Sequence, residues 1–145
     1  MKKLLEIKHL YKNYDKKEVL KDINLDVYDK DIIVIIGPSG SGKSTLLRCI
    51  SKLEDITKGQ VLLEGKSITD SIEFHKRIGM VFQSFNLFNN LTVLENITLA
   101  PVKTKVLDKK EAENRAKELL SMINLLDKKD EYPKNLSGGE KQRVA

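Results

Sequence analysis

Ile32-Ile33-Val34-Ile35-Ile36-Gly37-Pro38-Ser39-Gly40-Ser41-Gly42-Lys43-Ser44-Thr45 joins five consecutive β-branched residues to a glycine-rich turn ending in Lys-Ser-Thr. A β-branched run without polar alternation predicts a strand buried on both faces of a parallel sheet. The turn from Gly37 to Ser44 matches G-x-x-x-x-G-K-[ST] in full. Beyond it, Leu46, Leu47 and Ile50 fall at helical spacing and predict a helix over 44–52. Strand, loop and helix in that order are the setting in which this pattern cradles phosphate.

Each residue of the loop has a physical task in that reading. Gly37, Gly40 and Gly42 permit backbone angles that a Cβ hinders, and the amides from Ser39 to Ser44 converge on a triphosphate. Pro38 and Ser41 complete the turn. The helix contributes its positive dipole end. Lys43 places an ammonium on the β and γ phosphates, the Ser44 hydroxyl is a Mg²⁺ ligand, and Thr45 supports the α phosphate. The expected ligand is therefore a nucleoside triphosphate, ATP first. A plain glycine turn leaves Lys-Ser-Thr unexplained, and a dinucleotide fingerprint needs a third glycine where Thr45 stands.

Working outward, Leu4 to Leu10 and Val19 to Val27 alternate apolar and polar residues and predict antiparallel strands joined by a polar turn over 13–17. Gly59 to Gly65 frames a short strand, and Ile78 to Phe82 predicts another. Thr92 with Glu95 and Asp108 with Glu111 have the form of capping boxes. They open a helix that Pro101 should end and a second helix with Ala112, Ala116, Leu119, Leu120 and Ile123 on one face. Leu136 to Glu140 introduces a last helix.

The bulk numbers set limits on function. A chain of 145 residues with 40% hydrophobic content builds a core. Its 32% charged residues give a net +5, but the lysine doublets alternate with acids, the pattern of a solvated surface rather than a nucleic-acid patch. The longest apolar run is far too short to span a membrane. Met1 to Leu5 opens as a signal peptide does, yet Glu6 and Lys8 interrupt it, so a cytoplasmic place is expected. The single cysteine, Cys49, reads as core packing, and His9 and His75 have no ligand-spaced partner.

A second motif narrows the class. Leu136-Ser137-Gly138-Gly139-Glu140-Lys141-Gln142-Arg143-Val144-Ala145 resembles the signature segment of ATP-binding-cassette (ABC) ATPases. The resemblance covers essentially the whole chain. Leu46 to Ile50, Met80 to Phe88 and Leu91 to Pro101 are similar to the polar amino acid importer branch, although exporters of lipoproteins or macrolides share Phe82 to Leu87. What the resemblance implies is an α/β P-loop NTPase core of ABC type with an antiparallel β subdomain and a helical subdomain, incomplete at the C-terminus. Its boundaries would be about 1–90 for the β and P-loop core, about 91–137 for the helical part, and 136–145 for the signature and its helix.

Family resemblance also assigns roles. Tyr14 matches the aromatic that stacks on adenine, and Gln83 matches the glutamine that reaches Mg²⁺ and the attacking water. Ser137, Gly138 and Gly139 match residues that grip the nucleotide of a second ATPase domain in trans. Implied partners are that second domain, transmembrane permease subunits and, indirectly, a solute-binding protein, but no nucleic acid. The subunit would lie on the inner face of the cell membrane and couple ATP binding and hydrolysis to import of a solute, a polar amino acid in this branch. Two departures stand out. Glu140 replaces the usual glutamine, and no apolar strand ending in Asp-Glu (Walker B), D-loop or switch histidine follows, so the expectation is nucleotide binding without turnover. Alternatives are an exporter ATPase, a non-hydrolysing nucleotide-binding interaction module, and a soluble relative acting on chromosomes or ribosomes.

Overall fold

The computed structural model describes residues 2–68 and 71–145, so Met1, where the signal-like opening begins, lies outside the described residues. It divides into two compact units, Met1–Gly79 and Met80–Ala145.

In the first unit, strands β1 (Lys3–Tyr14) and β2 (Lys17–Tyr28) form an antiparallel pair through a tight connection, with Tyr14 opposite Lys17 and Asp15 at φ 50°. β1 then pairs with β3 (Lys58–Leu63), and β3 with the two-residue β4 (Lys66–Ser67), giving the order β2-β1-β3-β4. Strict alternation cannot bury both Ile7 and Leu10, yet both are inside. A bulge resolves this: the register shifts between them, and His9 takes φ 47°. The amide of His9 donates to Asn24 Oδ1 at 2.8 Å, and its Nδ1 meets Asp22 Oδ1 at 2.7 Å. Across the sheet Gly59 adopts φ 95°, and a Cβ there would lie 2.1 Å from the His9 carbonyl oxygen. Only glycine fits opposite this bulge.

Helix α1 (Lys43–Ile50) buries Leu46 and Cys49 into a cluster with Ile7, Leu10, Leu20 and Val61. Burying a leucine of this kind contributes about 1.5–3 kcal/mol. Cys49 is fully buried, as its apolar neighbours predict, and burial pushes its thiol pKa up, away from reactivity. Leu47, by contrast, is exposed. A short helix α2 (Ile72–His75), which no sequence pattern announced, places Phe74 in the interior.

Two expected strands do not form. Ile32 to Ile36 has no ladder partner among the described residues, and Ile32, Val34 and Ile36 are 91%, 74% and 90% exposed. Ile78 to Phe82 is likewise outside any sheet, with Val81 exposed. The reason is cooperative: a parallel strand exists only between neighbours, and the four-stranded antiparallel sheet reaches both its edges without either segment.

The second unit is helical. Helices α3 (Val93–Lys103) and α4 (Lys109–Met122) each begin with the predicted reciprocal capping box, Thr92 with Glu95 and Asp108 with Glu111. The first amides of α3 are satisfied from outside the helix: Val93 donates to the Glu131 carbonyl at 2.8 Å and Leu94 to that of Lys129 at 2.9 Å. Val93, Leu120, Leu125 and Leu136 form the core. Ala112, Ala116 and Leu120 face inward as predicted, whereas Leu119 is partly exposed. Pro101 lies inside α3 rather than ending it, two residues before the helix stops, and its carbonyl accepts from the Val106 amide at 2.9 Å just beyond that end. Helix α5 (Gly138–Val144) closes the described fold.

Candidate functional site

The loop from Gly37 to Thr45 is held by its glycines and by β2. Gly40 and Gly42 take φ 79° and 92°. At Gly42 a Cβ would meet Leu20 Cδ2 at 2.8 Å and the Val19 carbonyl at 3.1 Å, so the turn rests directly on the β2 backbone. Gly42 serves as N-cap of α1 with no side-chain cap, which leaves the amides of Lys43, Ser44 and Thr45 without intrahelical acceptors. These donors stand at the positive end of the helix dipole. The Lys43 ammonium curls over the loop and donates to the carbonyls of Gly37 (2.8 Å) and Pro38 (2.7 Å) and, more weakly, to Ser41 Oγ (3.4 Å). Its partners are neutral oxygens, so its charge is available to an anion. Chemically this is a cup of three amides, Lys43 to Thr45, with one cation beside it, while the Ser41 amide donates to the Pro38 carbonyl at 3.3 Å; such an arrangement can hold an anion.

The Ser44 side chain is exposed at the start of α1. Among the described residues no group of three or more acidic, histidine or cysteine side chains could hold a metal ion. A single hydroxyl beside a phosphate cup suits a hard cation that arrives with the phosphates and keeps most of its waters.

Tyr14 ends β1 beside this helix. Its phenol donates to Glu54; the Glu54 carboxylate, first among several causes, raises its pKa, and the Thr45 hydroxyl works in the opposite direction. Glu54 in turn is drawn below the usual carboxylate range by Tyr14 and then by Lys12. Lys12 Nζ sits 3.2 Å from Glu54 Oε2 and 4.7 Å from the centre of the Tyr14 ring. Sequence reading missed Lys12 and Glu54, since neither belongs to a motif. The only available signal was the lysine two residues before Tyr14 on the same strand face.

Gln83, Ser137, Gly138 and Gly139 belong to the second unit. Gln83 is exposed in a turn, closed by the Phe85 amide donating to the Phe82 carbonyl at 3.0 Å, and not at the end of a strand. The following segment is pinned by Asn96, whose Oδ1 accepts from the Phe88 amide at 2.7 Å while its amide nitrogen donates to the carbonyls of Phe88, Leu91 and Thr92. Met80, Phe82, Phe85, Leu87 and Phe88 line an apolar cleft against Ile97 of α3. Ser137 caps α5, and Glu140 folds back onto it. The carboxylate that replaces the usual glutamine is thereby paired, and its pKa is lowered chiefly by the Ser137 backbone N–H.

A mixed α/β cassette with this phosphate loop defines the class, and comparison with known proteins gives the family. Residues 20–145 match the family model described as ABC transporter. The chain belongs to the ABC transporter family. It is 45% identical to the glutamine transport ATP-binding protein GlnQ of Escherichia coli (strain K12), over 98% of this chain and 61% of that protein. With the general L-amino acid transport ATP-binding protein AapP of Rhizobium johnstonii it shares 46% identity, over 97% of this chain and 56% of the relative. The chain thus spans about three-fifths of the length of these curated relatives. A dimeric ATP-binding cassette solved in a post-hydrolysis state with ADP and Pi superposes with a TM-score of 0.86 at 36% identity, covering 97% of this chain and 66% of that one. The ABC-type α/β fold follows from that match. No described helix is long and apolar enough to cross a membrane.

Proposed function

We propose that this chain carries the nucleotide-binding part of the ATP-binding subunit of an amino acid importer, in which ATP binding and hydrolysis by the whole protein drive uptake. The cup of amides under the Lys43 ammonium carries the reading. The amides from Ser39 to Ser44 and Lys43 take the β and γ phosphates, Thr45 the α phosphate, and Tyr14 the adenine. Ser44 would hold Mg²⁺, which would neutralise phosphate charge there; a Mg²⁺ role for Gln83 rests on the family resemblance alone. Ser137, Gly138 and Gly139 serve the nucleotide of a second copy. The relatives named for glutamine and general L-amino acid transport support a polar amino acid as cargo.

The cleft around Phe82, Phe85 and Phe88 is an apolar surface suited to a permease subunit, through which the protein would sit on the inner face of the membrane and answer indirectly to a solute-binding protein. By itself this chain is expected to show negligible turnover. Calorimetric titration with Mg²⁺-ATP tests the reading. Binding lost in Lys43→Ala supports it; an unaltered affinity in that variant, or no binding by the native chain at millimolar nucleotide, refutes it.

A further inference from the structure

Tyr14 is held from two sides by groups that no motif predicts. Its phenol is fixed on Glu54, and Lys12 Nζ lies over one face of its ring at 4.7 Å. Lys12 is itself immobilised: it donates to the Asp55 carbonyl at 2.7 Å, pairs with Glu54 at 3.2 Å, and its side chain is only 13% exposed. The other oxygen of Glu54 faces Arg48 Nη1 at 3.8 Å, and Arg48 belongs to α1, the helix that begins at the phosphate loop. The tyrosine remains 40% exposed despite these contacts.

We propose that Glu54 and Lys12 are positioning residues that make Tyr14 a one-faced stacking platform at fixed reach from the phosphate loop. This rests on the proposed adenine-stacking role of Tyr14. A free tyrosine must surrender its rotamer freedom when a base stacks on it; a ring tethered at its hydroxyl has surrendered that freedom already. The ammonium occupies one face through cation–π attraction and leaves the opposite face for a flat heteroaromatic ring. Because Glu54 also meets α1, ring and phosphate donors keep one spacing, and only a ligand carrying both base and phosphates profits. Glu54 should therefore matter for ATP and not for inorganic tripolyphosphate.

The test measures equilibrium affinity of the full chain for Mg²⁺-ATP and for tripolyphosphate. Tyr14→Ala should weaken ATP about tenfold relative to tripolyphosphate, the scale of one lost base stack. Glu54→Ala should weaken ATP about three- to tenfold with tripolyphosphate unchanged, and the double variant should lose no more than Tyr14→Ala alone. Glu54→Gln, whose amide oxygen still accepts from the phenol, should recover most of the loss. Equal weakening of both ligands in Glu54→Ala would show that Glu54 only braces α1 and would overturn the proposal. An ATP affinity untouched by Glu54→Ala but lowered by Tyr14→Ala would overturn it too, while sparing the role of Tyr14. If Tyr14→Ala leaves the ratio of the two affinities unchanged, the stacking role itself fails and the platform with it.

Discussion

The Ser137 backbone N–H donates to Glu140 Oε2 at 2.7 Å, and the Glu140 N–H returns a bond to Ser137 Oγ at 3.3 Å. Because the hydroxyl oxygen accepts in this pair, its own hydrogen is left free to turn away from the Glu140 amide. The bond holds the Glu140 carboxyl below the usual glutamate range. A depressed folded-state pKa means that the stabilisation is present above the unfolded value and lost as pH falls through the folded one. The Ser137 amide resonance should therefore titrate below the ordinary glutamate range. Glu140→Gln should abolish that titration while keeping α5 capped, and a midpoint at the ordinary value would contradict the pairing.

Lys43→Ala should leave folding intact, because the ammonium bonds only exposed loop oxygens. Anion binding should suffer instead. Losing one charge-assisted contact costs about 1.5–3 kcal/mol, roughly ten- to a hundredfold in phosphate affinity, with a Tm shift near zero. Paired melting and titration curves separate the two effects.

Gly59→Ala should be among the most damaging small substitutions in the first unit, since the new methyl would meet the carbonyls of His9 and Lys8 at 2.1 and 2.5 Å. A backbone forced from φ 95° costs about 1–3 kcal/mol, and relieving the clash adds to it. Gly65→Ala is the control: its φ is 78°, but nothing lies within 4 Å. Chemical denaturation should rank Gly59→Ala clearly below Gly65→Ala; equal stabilities would mean that the bulge at His9 relaxes freely.

In the second unit, Leu120→Ala empties a fully buried site and should cost about 2–5 kcal/mol. Met122→Ala, 76% exposed on the same helix, should stay within about 0.5 kcal/mol of the parent. Hydrogen exchange of α3 and α4 amides reads both.

How much of this was legible in the sequence depended on the range of the interaction. Caps are local, so Thr92 and Asp108 announced α3 and α4 to the residue, while Leu136 to Glu140 announced a helix where α5 forms without revealing its cap at Ser137. The phosphate loop was equally plain, because its glycines and Lys43 act within one turn. Alternation located β1 and β2 but hid the bulge at His9, which is decided by Asn24 and Gly59 on other strands. Hydrophobic runs misled at Ile32 to Ile36 and Ile78 to Phe82: such a run records a need for neighbours and does not supply them. Glu54 was invisible beside Tyr14 because 40 residues separate them, and no periodicity links an acid in a loop to the end of a strand.

The bare ribbon of isoleucine and valine ahead of the phosphate loop has a consequence for handling the molecule. Among the described residues its amide and carbonyl groups find no backbone partner while its side chains shun water, the combination that recruits another chain edge to edge. Concentrated samples should gather into filaments or precipitate through this stretch, and a lysine in place of Val34 should keep them dispersed.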